Sequence, residues 1–199
     1  IHHFLEGRLR EARDAFAQAM EESAHSGIVR QYGSPWVLEM LFELDRLGYE
    51  KIPDFSFQSQ VERVLREPNI HLRGVVLRLQ AREGIAKGDD PARILADLQK
   101  SEAHLHLSGD PVQLAKTRLE MARLELGQGE REGARELAQK SWQGLSGYAE
   151  EFFPDDLRYL LDTPETRSIA EGSESRESVF QRFLEMMEDF IPSPDLNEI

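Results

Sequence analysis

Six histidines and a dense mixture of acids and bases are the residues of this 199-residue chain with chemical potential. The tightest group is Glu102, His104 and His106 in SEAHLHLS. Side chains two apart on a helix point about 200° away from each other, so His104 and His106 are not expected to share a metal ion. His2 and His3 stand at a terminus where a helix frays. GQGERE, from Gly127, lacks the lysine and the spacing of a phosphate-cradling loop. No serine, histidine and acid signature is present either. With zero cysteines there is no thiolate chemistry, no disulfide framework and no cysteine zinc site. The expectation is a non-enzymatic chain with no metal and no cofactor.

Charge carries more information than any motif. Thirty-seven acids against 24 lysines and arginines give a formal net charge of -13. Phosphate contacts need clustered cations, so direct nucleic-acid binding is not expected of this chain. The charge is uneven, however. Residues 171–199 hold eight acids against two arginines, whereas 71–87 hold Arg73, Arg78, Arg82 and Lys87 against Glu83.

The elements that must position these residues follow from a ladder of glycines. Gly7, Gly48, Gly88 and Gly129 are spaced 41, 40 and 41 residues apart, each closing one periodic stretch just before another begins. Glycine suits such ends because it adopts the left-handed conformation without steric cost. Phe16, Phe57, Leu98 and Ala138 follow nine or ten residues later in each unit, preceded by Ala12, Pro53, Ile94 and Ala134. Repetition at such a period marks stacked supersecondary units. The expected repeats are about 1–27, 34–68, 71–109 and 111–147, with polar, glycine or proline breaks between them. Pro53 is incompatible with a helix interior, so the second helix of the second unit is expected to start late, near Pro53 itself. Gly-Asp-Asp-Pro absorbs one extra residue after Gly88, with Asp90 as cap and Pro91 in the first turn. No apolar run approaches the roughly 18 residues of a membrane span. A cytoplasmic location is the expectation.

Beyond the repeats, 148–170 is expected to cap the stack with a helical region containing Phe152, Phe153, Leu157 and Leu160. EGSESRE, 171–177, lacks apolar residues and is a linker by composition. Residues 178–199 place Phe180, Phe183, Leu184, Met187, Phe190 and Ile191 on one helix face. That face either packs back on the last repeat or on the next domain, or forms a short homodimer helix through 178–191. The lack of an initiating methionine, the short stretch before Gly7 and the helix start at Ser193-Pro194 lead to the expectation of a piece cut from a longer chain.

GRLREARDAFAQAM, with Gly7, Ala12, Phe16 and Ala19, resembles the second half of a tetratricopeptide repeat. DPVQLAKTRLEMARLELGQGEREGARELAQKSW, 110–142, resembles the whole motif, with Ala122, Gly129, Ala134 and Ser141 at its small-residue positions. The period near 41 departs from the usual value of about 34. It resembles the long-repeat domains of bacterial regulators such as the maltose-type and sigma-54-dependent activators. SVFQRFLEMMEDFIPSPDLNEI, from Ser178, resembles the connector that precedes a GAF domain. The resemblance implies an all-α, right-handed solenoid of about four helix pairs whose first helices line a concave surface. It places Arg46, Arg78, Arg82, Lys116 and Arg123 on or near that surface, with Leu38, Phe42 and Leu119 between them. These cations either pair with neighbouring carboxylates or hold an anionic peptide or carboxylate. The function implied is protein–protein recognition within a bacterial transcription or signalling regulator. A free-standing adaptor for assembly or chaperone complexes is the alternative.

Overall fold

Glycine ends the helices where the ladder places it. In the computed structural model, which describes residues 1–26, 34–53 and 55–161 apart from the side chains of Ala24 and Ser26, Gly7, Gly48, Gly88 and Gly129 have φ of +75°, +73°, +73° and +86°. A side chain with a Cβ is strained in that region. Gly109 and Gly147 turn the chain the same way at two further helix ends.

Among the described residues there are eight α-helices: α1 (His2–Leu5), α2 (Leu9–Ser26), α3 (Pro35–Arg46), α4 (Phe57–Arg66), α5 (Ile70–Lys87), α6 (Pro91–Ser108), α7 (Pro111–Gln128) and α8 (Arg131–Leu145). Two 3-10 segments follow, Glu150–Phe152 and Asp155–Leu161. The described residues contain no strand, only an isolated bridge between Ile52 and Phe55. Sequence neighbours pack together, most extensively α5 with α6 and α7 with α8. The chain divides into two compact units, residues 1–110 and the part that starts at Pro111.

Side chains of the loops start the helices. Ser56 Oγ accepts from Ser59 N at 3.1 Å, and Ser59 Oγ accepts from Ser56 N at 3.1 Å, which satisfies two otherwise orphaned donors of α4. That reciprocal cap explains why α4 starts at Phe57 and not near Pro53, which lies in the turn before it. Asn69 Oδ1 accepts from Leu72 N at the start of α5. Asp90 does so from Ala92 N at the start of α6, with Pro91 in the first turn as expected.

In the first unit, α5 and α6 approach closely because Gly74 has no side chain. A Cβ there would lie 2.6 Å from Leu105 Cγ. Ser101, fully buried on α6, donates to the Gly74 carbonyl at 2.7 Å. In the second unit the same device recurs: Ser141 on α8 donates to the Ala115 carbonyl on α7 at 3.2 Å. Ser101 and Ser141 are 40 residues apart, and Gly74 and Ala115 are 41 apart, so the period governs interhelical hydrogen bonds as well as turns. Ala122, Ala134 and Ala138 keep α7 and α8 close, and Trp142 closes their end edge-on to Phe153 at 5.5 Å between ring centroids.

The region expected to cap the repeats as a helix is, through Leu161, a pair of 3-10 turns. Pro154 lies between them and cannot donate to a continuous ladder. Their Phe153, Leu157, Leu160 and Leu161 are buried with α7 and α8. The linker at 171–177 and the connector face of Phe180, Phe183, Leu184, Met187 and Phe190 lie outside the described residues. No described helix is long and apolar enough to cross a membrane.

Candidate functional site

Three of the expected groove residues meet at one pocket of the first unit. Phe42, Asp45 and Arg46 line it from α3, and Arg82, Glu83, Ala86 and Lys87 line it from α5, around a volume of about 450 Å³. The two helices bring them together through their buried faces. Leu38 and Leu41 are each 2% exposed, and Val75 and Leu79 are 0% exposed. Hydrophobic burial therefore sets the distance between the two charged edges.

A buried ion pair fixes the register of this contact. Arg78 Nη2 donates to Glu39 Oε1 at 2.6 Å, with side chains only 3% and 9% exposed. One helical turn on, Arg82 Nη2 stands 3.0 Å from Glu43 Oε1. Arg46 donates to the other oxygen of the same carboxylate, Nε at 2.8 Å and Nη2 at 2.7 Å. Glu43 thus lies between two guanidiniums. Arg82 also lies 5.5 Å above the ring of Phe42, which is held edge-on by Phe57. Asp45 Oδ2 accepts from Phe57 N at 3.1 Å and so holds the N-terminus of α4. On the rim Lys87 is paired with Glu83 at 2.6 Å, and that hydrogen bond raises the lysine pKa above its ordinary value.

The second unit carries its own cations on α7. Arg123 Nη1 donates to Glu120 Oε1 at 2.9 Å, while Nη2 donates to Asp156 Oδ1 at 3.2 Å and Nε to Asp156 Oδ2 at 3.4 Å. Burial opposes the charge of Arg123, but the Glu120 and Asp156 carboxylates outweigh it, and its pKa is raised. Lys116 Nζ lies 4.8 Å from the ring centroid of Phe152. The acidic, aromatic run 150–156, EEFFPDD, therefore sits against Lys116 and Arg123 of α7.

The expected set is divided by this geometry. Arg46, Arg82 and Phe42 belong to the pocket. Arg78 does not line it and is instead buried in its pair with Glu39. Leu38 and Leu119, expected between the cations, are each 2% exposed and belong to the cores of their units. Lys116 and Arg123 belong to the second unit, where the chain's own segment engages them. Pairing of these arginines with carboxylates, one of the two expected arrangements, is what the structure contains. Asp45 and Glu43 are pocket or neighbouring residues that the sequence pattern did not single out; each lies next to one that it did, Arg46 or Phe42.

No group of three or more histidine, cysteine or acidic side chains among the described residues could hold a metal ion. His71 Nε2 lies 2.9 Å from Asp110 Oδ2, a pair that holds the start of α5 to the end of the first unit. Helical hairpins with a charged pocket on their first helices define a class of architecture rather than an activity. No family model, no curated protein and no solved structure matches the chain.

Proposed function

We propose that this chain is a partner-binding domain of a bacterial transcription or signalling regulator, in which recognition of a protein or effector controls domains attached to its C-terminal end. The observation that carries the reading is the α3–α5 pocket, where Phe42, Arg46 and Arg82 converge on helices that the tetratricopeptide resemblance would assign to the binding surface. Arginine beside an aromatic ring is the kind of anchor on which interfaces concentrate their energy. The αL glycines at a 41-residue period, the recurring serine bonds and the resemblance of 110–142 to a tetratricopeptide repeat support stacking of the pairs into a right-handed solenoid.

The test has two parts. The reading frame past Ile199 is expected to encode an ATPase, GAF or DNA-binding segment; a stop codon shortly after it would favour the free-standing adaptor instead. In the intact regulator, Arg46→Ala with Arg82→Ala is expected to abolish the response to the partner while leaving basal output unchanged. An unaltered response would remove the pocket from the proposal.

A further inference from the structure

Two of the cations that the tetratricopeptide resemblance would place on a binding surface, Lys116 and Arg123, are already engaged by a segment of the same chain. Lys116 Nζ lies 4.8 Å from the ring centroid of Phe152. Two helical turns further along α7, Arg123 reaches Asp156 through Nη2 at 3.2 Å and Nε at 3.4 Å. Phe152 and Asp156 belong to the two 3-10 segments, Glu150–Phe152 and Asp155–Leu161. A forked guanidinium–carboxylate bond and a cation over a ring are contacts with which one protein holds an acidic, aromatic segment of another.

The side chains that attach 150–161 to the second unit fall into two groups by burial. Phe153, Leu157, Leu160 and Leu161 are buried in its core. Asp156 is 63% exposed and Phe152 is only partly buried, so it is the outer edge of the segment that meets the two cations. Releasing that edge strands no charge. Arg123 keeps Glu120 Oε1 at 2.9 Å, on a side chain that is 6% exposed, and Asp156 passes into water. An ion pair with one partner so exposed contributes little, and 3-10 turns have poorer hydrogen-bond geometry than an α-helix. The edge can therefore leave α7 while the buried anchors stay in place.

We propose that the 150–156 edge is an autoinhibitory contact. It covers Lys116 and Arg123 as an acidic, aromatic ligand would, and an acidic segment of a partner protein displaces it from α7 while Phe153 and Leu157 remain buried. Glu120 holds Arg123 in place during the exchange. This inference rests on the partner-binding reading and adds that the α7 surface is closed in the free chain.

The probe is the fluorescein-labelled, end-blocked peptide EEFFPDD, followed by fluorescence polarisation. It is titrated into the whole chain and into the Phe152→Ala, Asp156→Asn double variant, which loses the edge contacts and keeps the buried anchors. The double variant is expected to bind at least about tenfold more tightly than the unaltered chain, and adding Arg123→Gln should remove that gain. Thermal melts followed by circular dichroism establish that the variants are folded; if the double variant is not, Asp156→Asn alone, at an exposed position, is expected to show the gain in the same direction. Equal affinity for the folded variant and the unaltered chain would show that the edge masks nothing. No binding to the released variant would show that α7 takes no such ligand and that the edge only attaches a cap. A gain that survives Arg123→Gln would place the peptide elsewhere. Each of these results overturns the autoinhibitory contact, whereas the partner-binding reading stands or falls separately on the response of the Arg46→Ala, Arg82→Ala regulator.

Discussion

Arg78 and Glu39 form a 2.6 Å ion pair across the α3–α5 contact, buried one helical turn from Arg82 and Glu43. An ion pair so placed is costly to break from one side, because the remaining charge stays buried without compensation. Arg78→Met alone is expected to destabilise the first unit by about 3–5 kcal/mol. The double variant with Glu39→Leu should recover most of that loss. Urea denaturation of the two variants measures the difference; equal midpoints would show that the pair is not energetically coupled.

Gly74 and Gly127 should respond to alanine in opposite directions. At Gly74 a Cβ would meet Leu105 Cγ at 2.6 Å and His104 Cβ at 3.3 Å, in a core where Leu105 is fully buried. Overpacking of this kind costs about 1–3 kcal/mol, more than the helix-propensity gain of about 1 kcal/mol. At Gly127, within α7, nothing lies within 4 Å of a new Cβ. There only the propensity gain remains, about 0.5–1 kcal/mol of stabilisation. Differential scanning calorimetry of both variants checks the pair of signs.

The serine bonds between paired helices are expected to be individually modest and equivalent in the two units. Ser101→Ala leaves the Gly74 carbonyl without its 2.7 Å donor, and Ser141→Ala removes the donor to Ala115. Each carbonyl keeps its helical N–H donor, so each loss is expected to cost about 0.5–1.5 kcal/mol, the net contribution of one hydrogen bond. Native-state hydrogen exchange should show each effect confined to the helices of its own unit. Loss of protection across both units would contradict the division at Asp110.

Arg123→Ala removes the contact to Glu120 on α7 and the contact to Asp156 at the start of the second 3-10 segment. Faster exchange is expected across residues 150–158, while the amides of α8 around Ala138 stay protected, because Phe153, Leu157 and Leu160 still bury their apolar surface. The raised pKa of Arg123 fixes the sign with pH. Its contribution is complete below the ordinary arginine value and is lost only as pH rises through the still higher folded value. Raising pH from 6 to 9 should therefore leave this contribution intact. A loss over that interval that Arg123→Ala abolishes would refute the assignment.

Much of the local structure was written in the spacing. A glycine requirement is a property of one residue's φ, so Gly7, Gly48, Gly88 and Gly129 could be read without knowing any neighbour in space. Asp90-Pro91 was legible for the same reason. The start of α4 was not: Pro53 showed only where a helix interior could not be, and the reciprocal Ser56–Ser59 cap decided where it began.

By itself, the sequence determined an all-helical chain with its turns, its period and the small residues that let paired helices approach, since these depend on backbone conformation and side-chain size at each position. Only the tertiary structure decided which arginines bind what. Arg78 and Arg82 are one helical turn apart, yet one is buried against Glu39 and the other lies over Phe42 at a pocket rim. That choice depends on the carboxylates and rings that α3 brings across from α5, and helix packing sets those distances, not spacing along the chain.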